Sequence, residues 1–298
     1  VSATPLNQSL DGFKAALVKG GFVEGETVKF NVQNAEGNDS NLSSIASSLV
    51  ASSDLVFGIA TPSAQALKEA NERADLDVPV VFTAVTNPVG ASLVTSMENH
   101  PENVTGMSDI TDPAFIAKTL VEFKAIDKVA LLYTTSESNS VYQKDLMIAA
   151  LANEGIDYED DGVSSDNMIT TTISGIGDDV DAIYIPTDNH IVAAIGQVKT
   201  AVQNLYDDSD GKRSVVTICA DSSVVAESCM IGIGVDYTEL GEEAGAMAVD
   251  ILNGTKTAKD IDCKTSAKPV MMVNTKVATD AGVTIPQSVI DGADEVFE

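Results

Sequence analysis

Tryptophan is absent from this chain of 298 residues, arginine occurs only at positions 73 and 213, and histidine only at positions 100 and 190. Cysteine is confined to Cys219, Cys229 and Cys263, and no CxxC pair occurs. Three cysteines make no even disulfide framework; Cys219 and Cys229 flank a short segment and either pair or stay as buried thiols. Two histidines far apart in sequence leave no His-based metal site, so no metal or cofactor is expected. Neither Arg73 nor Arg213 falls at a turn where a phosphate, sulfate or dicarboxylate would recruit a guanidinium fork. Without tryptophan, the stacking surface that a sugar site favours is thin. No run of about 18 apolar residues is present to span a membrane. No GxSxG elbow or phosphate loop occurs, and Gly232-Ile-Gly234 lacks the third glycine of a dinucleotide fingerprint. Basic charge is also scarce. Against 45 acidic residues stand 17 lysines and arginines, a formal net charge of −28. That balance repels nucleic acid and reads as a solvated, self-repelling surface. The acidic runs Glu159-Asp160-Asp161 and Asp207-Asp208-Ser-Asp210 are read as solvated rather than calcium-binding.

What is present is an alternation of short apolar runs with amphipathic segments. Leu6, Leu10, Phe13 and Leu17 recur at helical spacing, and Thr27–Val32 alternates like a strand. A helix is expected over Leu42–Val50, a strand over Asp54–Ile59, a helix from Thr61 to about Arg73 and a strand over Val78–Thr83. The pattern restarts after Asp112. Strands are expected over Lys128–Tyr133, Ile156–Val163, Asp181–Ile185, Val215–Cys219, Met230–Val235 and Val270–Val273. Helices fall between them, including a long one from Asp188 to about Tyr206. Repeated βα alternation implies parallel sheets covered by helices. Two such runs, in a chain too long for one ordinary domain, imply two doubly wound α/β lobes with a ligand cleft between them. One piece is missing from the pattern. A doubly wound lobe opens with a strand, yet here the first helix begins within about ten residues of Val1.

Five strand-to-helix turns carry short polar residues. They hold Thr61, Ser63 and Ala64; Thr83, Ala84, Thr86 and Asn87; Ser136, Asn139 and Ser140; Thr187, Asp188 and Asn189; and Asp221 and Ser222. Ser, Thr, Asp and Asn are ordinary helix caps. Five such turns on one edge point further, to a binding site. Helix N-termini with the hydroxyls of Ser63, Thr83 and Thr86 suit a carboxylate. Asp188 and Asp221 suit an ammonium group. A zwitterionic amino acid carries both charges. Tyr133, Tyr142 and Phe115 are candidate flat walls for an aromatic side chain, whereas Phe82 and Tyr184, inside strands, are read as core.

Several stretches resemble one family. They are Asn38-Asp-Ser-Asn-Leu42, Ile59-Ala-Thr-Pro-Ser-Ala-Gln-Ala66, Val80-Val-Phe-Thr-Ala-Val-Thr-Asn-Pro-Val-Gly-Ala91 and Asn103-Val-Thr-Gly106. Ser136-Glu-Ser-Asn-Ser140, Ala182-Ile-Tyr-Ile-Pro-Thr-Asp-Asn189 and Gly234-Val-Asp-Tyr-Thr-Glu-Leu-Gly241 follow in the same order. Together they resemble the ABC transporter substrate-binding protein family associated with tryptophan and other aromatic amino acids. The resemblance implies a type I periplasmic-binding-protein fold, with lobe 1 formed by residues 1–107 and 236–268 and lobe 2 by residues 108–235 and 269–298. It implies that the lobes close on an amino acid, aromatic ones favoured, without turnover. It also implies a monomer outside the cytoplasmic membrane, lipid-anchored in some cells, that serves ABC permease and ATPase subunits. The chain opens at Val1-Ser-Ala-Thr-Pro5 with no leader visible, as a processed export product does. In the family a strand leads into that segment, so Thr4 and Pro5 join the candidate ligand residues. Alternatives of other kinds are a sensory receptor domain of the same fold, a binding protein for a nucleoside or sugar, and an enzyme on the same scaffold.

Overall fold

A computed structural model of the chain describes residues 5–36, 38–266 and 269–298. In chain order the first elements are α1 (Pro5–Lys19), α2 (Asp39–Val50), β1 (Val56–Ile59), α3 (Thr61–Arg73), β2 (Val80–Thr83), β3 (Val104–Ser108), α4 (Pro113–Val121), β4 (Lys128–Thr134), α5 (Ser138–Glu154) and β5 (Asp157–Val163). Then come α6 (Ile169–Gly175), β6 (Ala182–Ile185), α7 (Asn189–Ala193), α8 (Ile195–Asp208), β7 (Val216–Cys219), β8 (Ile231–Gly234) and α9 (Tyr237–Leu252). The chain ends with β9 (Lys264–Thr265), β10 (Val270–Asn274), α10 (Thr275–Asp280), α11 (Gln287–Asp291) and β11 (Glu295–Phe297). The chain falls into two compact units. Unit 1 runs to Ile110 and regains the chain from Asp236 through β9. Unit 2 holds Thr111–Val235 and the C-terminal segment.

Unit 1 is built on a parallel sheet of order β1-β2-β3-β9, with Val56 opposite Val80 and Val80 opposite Val104. All four residues of β2 are buried, as expected of a parallel strand covered on both faces. Phe82, fully buried, packs with Leu67, Val85 and Leu93 in the core of this unit. The segment Thr27–Val32 does not form the expected strand. Its backbone joins no ladder beyond an isolated bridge between Glu24 and Val28. Alternation puts Val28, Phe30 and Val32 on one face, but among the described residues no strand edge receives their N–H groups. Phe30 instead lies beneath the Lys14 ammonium, 5.0 Å from its ring centre, and Val32 is exposed.

Two helices far apart in sequence, α1 and α9, press together in this unit. A β-carbon on Gly12 would collide with the Thr238 carbonyl oxygen, and one on Gly241 with the Ser9 carbonyl. Glycine is therefore required on both helices for backbone-to-backbone approach. Phe13, Leu17, Ala244 and Ala248 are buried along the same seam.

Unit 2 carries a seven-stranded sheet of order β11-β10-β8-β7-β6-β4-β5. Strands β5, β4, β6, β7 and β8 are parallel, as the βα alternation predicts. β10 departs from that pattern and runs antiparallel to β8. The expected long helix after Asp188 is two helices, since Ala194 leaves helical geometry at φ −106° and ψ 16°. Tyr184, Leu131 and Met147 fill the core.

β5 is the sheet's edge and bears Asp157, Glu159, Asp160 and Asp161. Charge on an exposed edge blocks pairing with other chains. Asp161 is held partly inside, and burial, then repulsion from Glu159 and Asp160, pushes its carboxyl up to about 6 from 3.8.

Two outcomes follow. Gly241→Ala forces α1 from α9 and lowers stability by about 1–3 kcal/mol; urea unfolding measures it, and an unshifted midpoint would contradict backbone contact. Asp161 has a folded pKa above its unfolded value, so its contribution is full below pH 3.8 and is lost as pH rises through about 6. Asp161→Asn should accordingly melt above the parent at pH 7, with the gap closing toward pH 4.

Candidate functional site

In a parallel sheet each strand ends where the next helix begins, so helix N-termini and their capping side chains gather at the carboxyl edge. In unit 1, Ala60 follows β1 at φ 73° and Ala84 follows β2 at φ 55°. Both are left-handed positions that a residue with a β-carbon rarely takes, a strain that concentrates at functional sites. Ala60 is also the N-cap of α3 and offers no side-chain acceptor, so the helix starts uncapped, with Pro62 in its first turn. Thr61 is buried and Ser63 half-buried there. The Thr83 hydroxyl, at the end of β2, is wholly buried and has no hydrogen-bond partner. Buried hydroxyls are nearly always paired, so an orphan at a strand end is a candidate partner for a ligand.

Other predicted residues of this unit have internal duties. Thr86 Oγ1 donates to Asp109 Oδ1 at 3.0 Å, and Ser108 Oγ donates to the Thr86 carbonyl at 2.9 Å, tying the ends of β2 and β3. Asn87 Oδ1 accepts from the Gly90 N–H and shapes a turn. Ala64 is fully buried against Gly58, where a β-carbon would come within 2.9 Å of the Ala64 Cα. It belongs to the core rather than to a surface open to ligand. Pro5 is the first residue of α1, and Thr4 lies outside the described residues.

Unit 2 gathers buried carboxylates. Asp188 is 1% exposed and caps α7 by accepting from the His190 and Ile191 N–H groups. The same carboxylate accepts from the Thr134 N–H at 2.6 Å and from Thr134 Oγ1 at 2.8 Å. Glu137, 7% exposed, accepts from Asn139 Nδ2, from both the N–H and the side-chain amide of Asn189, and from the His190 N–H. Burial and then the neighbouring Asp188 charge push the Glu137 carboxyl up, against the pull of those amides. The His190 ring lies 3.6 Å from Glu137 and 3.4 Å from Asp166. Gln143 accepts from the Thr187 N–H at 2.8 Å, and Asn139 donates to the Thr187 carbonyl at 2.7 Å.

Ser140 and Asp221 of unit 2 each keep a polar atom without a hydrogen-bond partner among the described residues. Ser140 Oγ, in the first turn of α5, is fully buried without a partner. Asp221, 3% exposed, takes both its hydrogen bonds, from Ser223 N and Ser223 Oγ, on Oδ1. Among the described residues Oδ2 has no donor. Burial pushes this carboxyl up, against the Ser223 bonds, so an ammonium placed on Oδ2 would relieve it. Ser222 is buried beside it, whereas Ser136 is exposed. Of the candidate walls, Tyr133 lies under the Lys144 ammonium at 5.3 Å and Phe115 is exposed; Phe82 and Tyr184 are core, as read.

Glu137 and Gln143 escaped the reading of the sequence. The signal was present in Ser136-Glu-Ser-Asn-Ser140, where one acid stands among small polar residues at a strand end. Composition cannot tell a buried acid from a solvated one. The two units differ in character. Unit 1 presents an uncapped helix start and a free hydroxyl, while unit 2 presents Asp221 with one carboxylate oxygen unclaimed. The first suits a carboxylate and the second an ammonium group.

This division separates two aspartates of similar appearance. Asp188→Ala strips a cap from α7 and a partner from the buried Thr134 N–H, so it should cost about 2–3 kcal/mol of stability in urea unfolding. Asp221→Asn keeps the Oδ1 bonds, and its midpoint should stay at or above the parent's. The reverse order would reverse these roles.

The family described as ABC transporter substrate binding protein matches residues 1–297. A tyrosine-binding protein of Clostridioides difficile (strain R20291) is 33% identical over 275 residues, covering 90% of this chain and 75% of that protein. The crystal structure of an ABC domain in complex with L-Trp from Streptococcus pneumonia superposes with a TM-score of 0.86 at 30% identity, over 100% of this chain and 98% of that one. A conserved domain protein from Vibrio cholerae superposes with a TM-score of 0.89 at 28% identity, over 99% and 96%.

Proposed function

The chain belongs to the ABC transporter substrate-binding protein family, and we propose that it captures a free amino acid, aromatic ones first, and delivers it to the permease and ATPase subunits of an importer. The observation that carries this reading is the pair of buried, partnerless hydroxyls of Thr83 and Ser140, one in each unit at the carboxyl edge of its sheet. Natural structures leave few such groups unpaired, and a polar ligand supplies the partner. The uncapped start of α3, with Ser63 in its first turn, takes the ligand carboxylate. Asp221 Oδ2 takes the ammonium. The aromatic preference follows from the relatives, one named for tyrosine and one crystallised with L-Trp. The family is a binding class, and the reading assigns no bond-making step to any residue. It places the chain outside the cytoplasmic membrane, acting as a monomer. No described helix is long and apolar enough to cross a membrane.

The test is a thermal-shift and calorimetric screen on protein stripped of ligand by unfolding and refolding. Tyrosine, tryptophan or phenylalanine at about 100 times its dissociation constant should add about 2.7 kcal/mol of stability. Leucine, ribose, glucose and a nucleoside serve as comparisons. Asp221→Asn should weaken binding about a hundredfold and Thr83→Val about tenfold. A shift with a sugar or nucleoside and none with an amino acid would overturn the reading. Undiminished affinity in both variants would move the site elsewhere.

A further inference from the structure

Unit 1 contains two stretches whose backbones face no partner. The first is the outer edge of β1. Val56 N donates to the Pro79 carbonyl and Ala60 N to the Thr83 carbonyl, so alternate residues of this strand bond to β2. The alternation of a ladder turns the N–H and C=O groups of Phe57 and Ile59 to the opposite edge. β1 ends its sheet, and no described strand meets that edge. The second stretch is Lys29–Gln33, which follows the bridge between Glu24 and Val28. It runs without turn or bend, and none of its backbone N–H groups finds an acceptor among the described residues. Apolar side chains mark both stretches. Phe57 and Ile59 are half-buried, whereas neighbouring β2 is wholly buried. Val28 and Phe30 are half-buried, and Val32 is exposed. Helix α1 spans the two. Phe13 stacks on Phe57 with ring centres 3.8 Å apart, and Lys14, the next residue, reaches over Phe30. A helix is about 10 Å across, which matches two inter-strand spacings of about 4.8 Å. One strand fits beneath α1, with β1 on one side and Lys29–Gln33 on the other.

We propose that the outer edge of β1 and the Lys29–Gln33 backbone together receive one parallel β-strand, supplied by the same polypeptide from the stretch that leads into Val1. Connectivity selects that occupant. A strand that feeds α1 lies beneath the helix it feeds, with the right-handed crossover of parallel units. α1 begins at Pro5, and Val1–Thr4 have the length of an ordinary strand-to-helix loop. A second copy or a separate peptide would have to enter under α1 without that tether. The received strand is paired on both edges and covered by α1, so it reads as an apolar run of about five residues, rich in Val, Ile and Leu. Its N–H groups meet the C=O groups of Phe57 and Ile59, and its own carbonyls take the N–H groups of Lys29–Gln33. The sheet then has the doubly wound order in which the strand first in the chain lies inside, with the switch point beside β1. The carboxyl end of the new strand opens at the same edge as Ala60. The loop that follows it would therefore border the ligand; this consequence alone rests on the ligand reading above.

The experiment reads amide hydrogen exchange, without ligand, on three proteins: one beginning at Val1, one that keeps the stretch encoded ahead of Val1, and one in which that stretch is replaced by Gly and Ser at the same length. In the second, the amides of Lys29–Gln33 and of Phe57 and Ile59 should exchange at least tenfold more slowly than in the other two, and the protein should melt at a higher temperature. Equal exchange in the first and second would overturn the proposal, as would protection that survives the Gly and Ser replacement. Protection in the first protein that grows with its concentration would assign the edge to a second copy and overturn it too. Should the first and third proteins fail to fold, the second decides alone: exchange of Lys29–Gln33 at the rate of an unstructured peptide would overturn the proposal. None of these readouts depends on which ligand binds.

Discussion

Asp188 holds the carboxyl edge of the larger sheet together. Its carboxylate reaches the backbone and hydroxyl of Thr134 at the end of β4 and the first N–H groups of α7 after β6. Two neighbouring strand ends are thereby fixed to one side chain. Glu137 repeats the device from the opposite turn by gripping Asn139, Asn189 and the start of α7. Placing two acids so close inside a protein carries a desolvation and repulsion cost, offset by seven N–H and O–H donors aimed at them in the hydrogen bonds just named. Rigid turns are the return, and on the one after β4 the hydroxyl of Ser140 is held in a fixed position, while Asp221 stands on the neighbouring turn after β7.

Unit 1 solves the opposite problem. It leaves the start of α3 uncapped and holds alanines at positive φ at the ends of β1 and β2. Local propensity would put Gly at positions 60 and 84 and an acceptor at the cap. Departures of this kind survive where surrounding packing over-determines the backbone, and here fully buried β2 supplies it. The same edge that is stabilised by internal acids in one unit is stabilised by tight packing in the other.

Much of this was legible in the sequence because burial on both faces makes parallel strands read as short apolar runs. β1, β2, β4, β6, β7 and β8 all announced themselves that way, and Thr61-Pro62-Ser63 marked the start of α3. The failures have physical causes. Thr27–Val32 has strand periodicity, but periodicity describes a segment and a ladder needs a neighbour. Lys264–Thr265 and Glu295–Phe297 are too short and too exposed to show a pattern. Ala194 interrupts the helix after Asp188 although alanine is the best helix former, so the break is a tertiary effect. The polar turns were located, but their division of labour was not. Thr86 and Asp188, candidate ligand residues in the sequence, also tie strand ends together, a duty the sequence does not show because hydrogen-bond saturation is a property of three dimensions.

The glycine seam between α1 and α9 bears on how the molecule comes into being. The helix made first in unit 1 packs backbone to backbone with one made more than two hundred residues later, and β9 joins the same sheet later still. An emerging chain therefore cannot complete unit 1 until nearly all of it has been synthesised, whereas most of unit 2 is contiguous. Such long-range closure is slow, since loop entropy is spent before contacts reward it. During that interval α1 is an amphipathic helix without its counterpart, and the heavy negative charge of the rest of the chain keeps unfinished molecules from one another. Unit 1 therefore stays open through most of synthesis, long after the contiguous part of unit 2 can close.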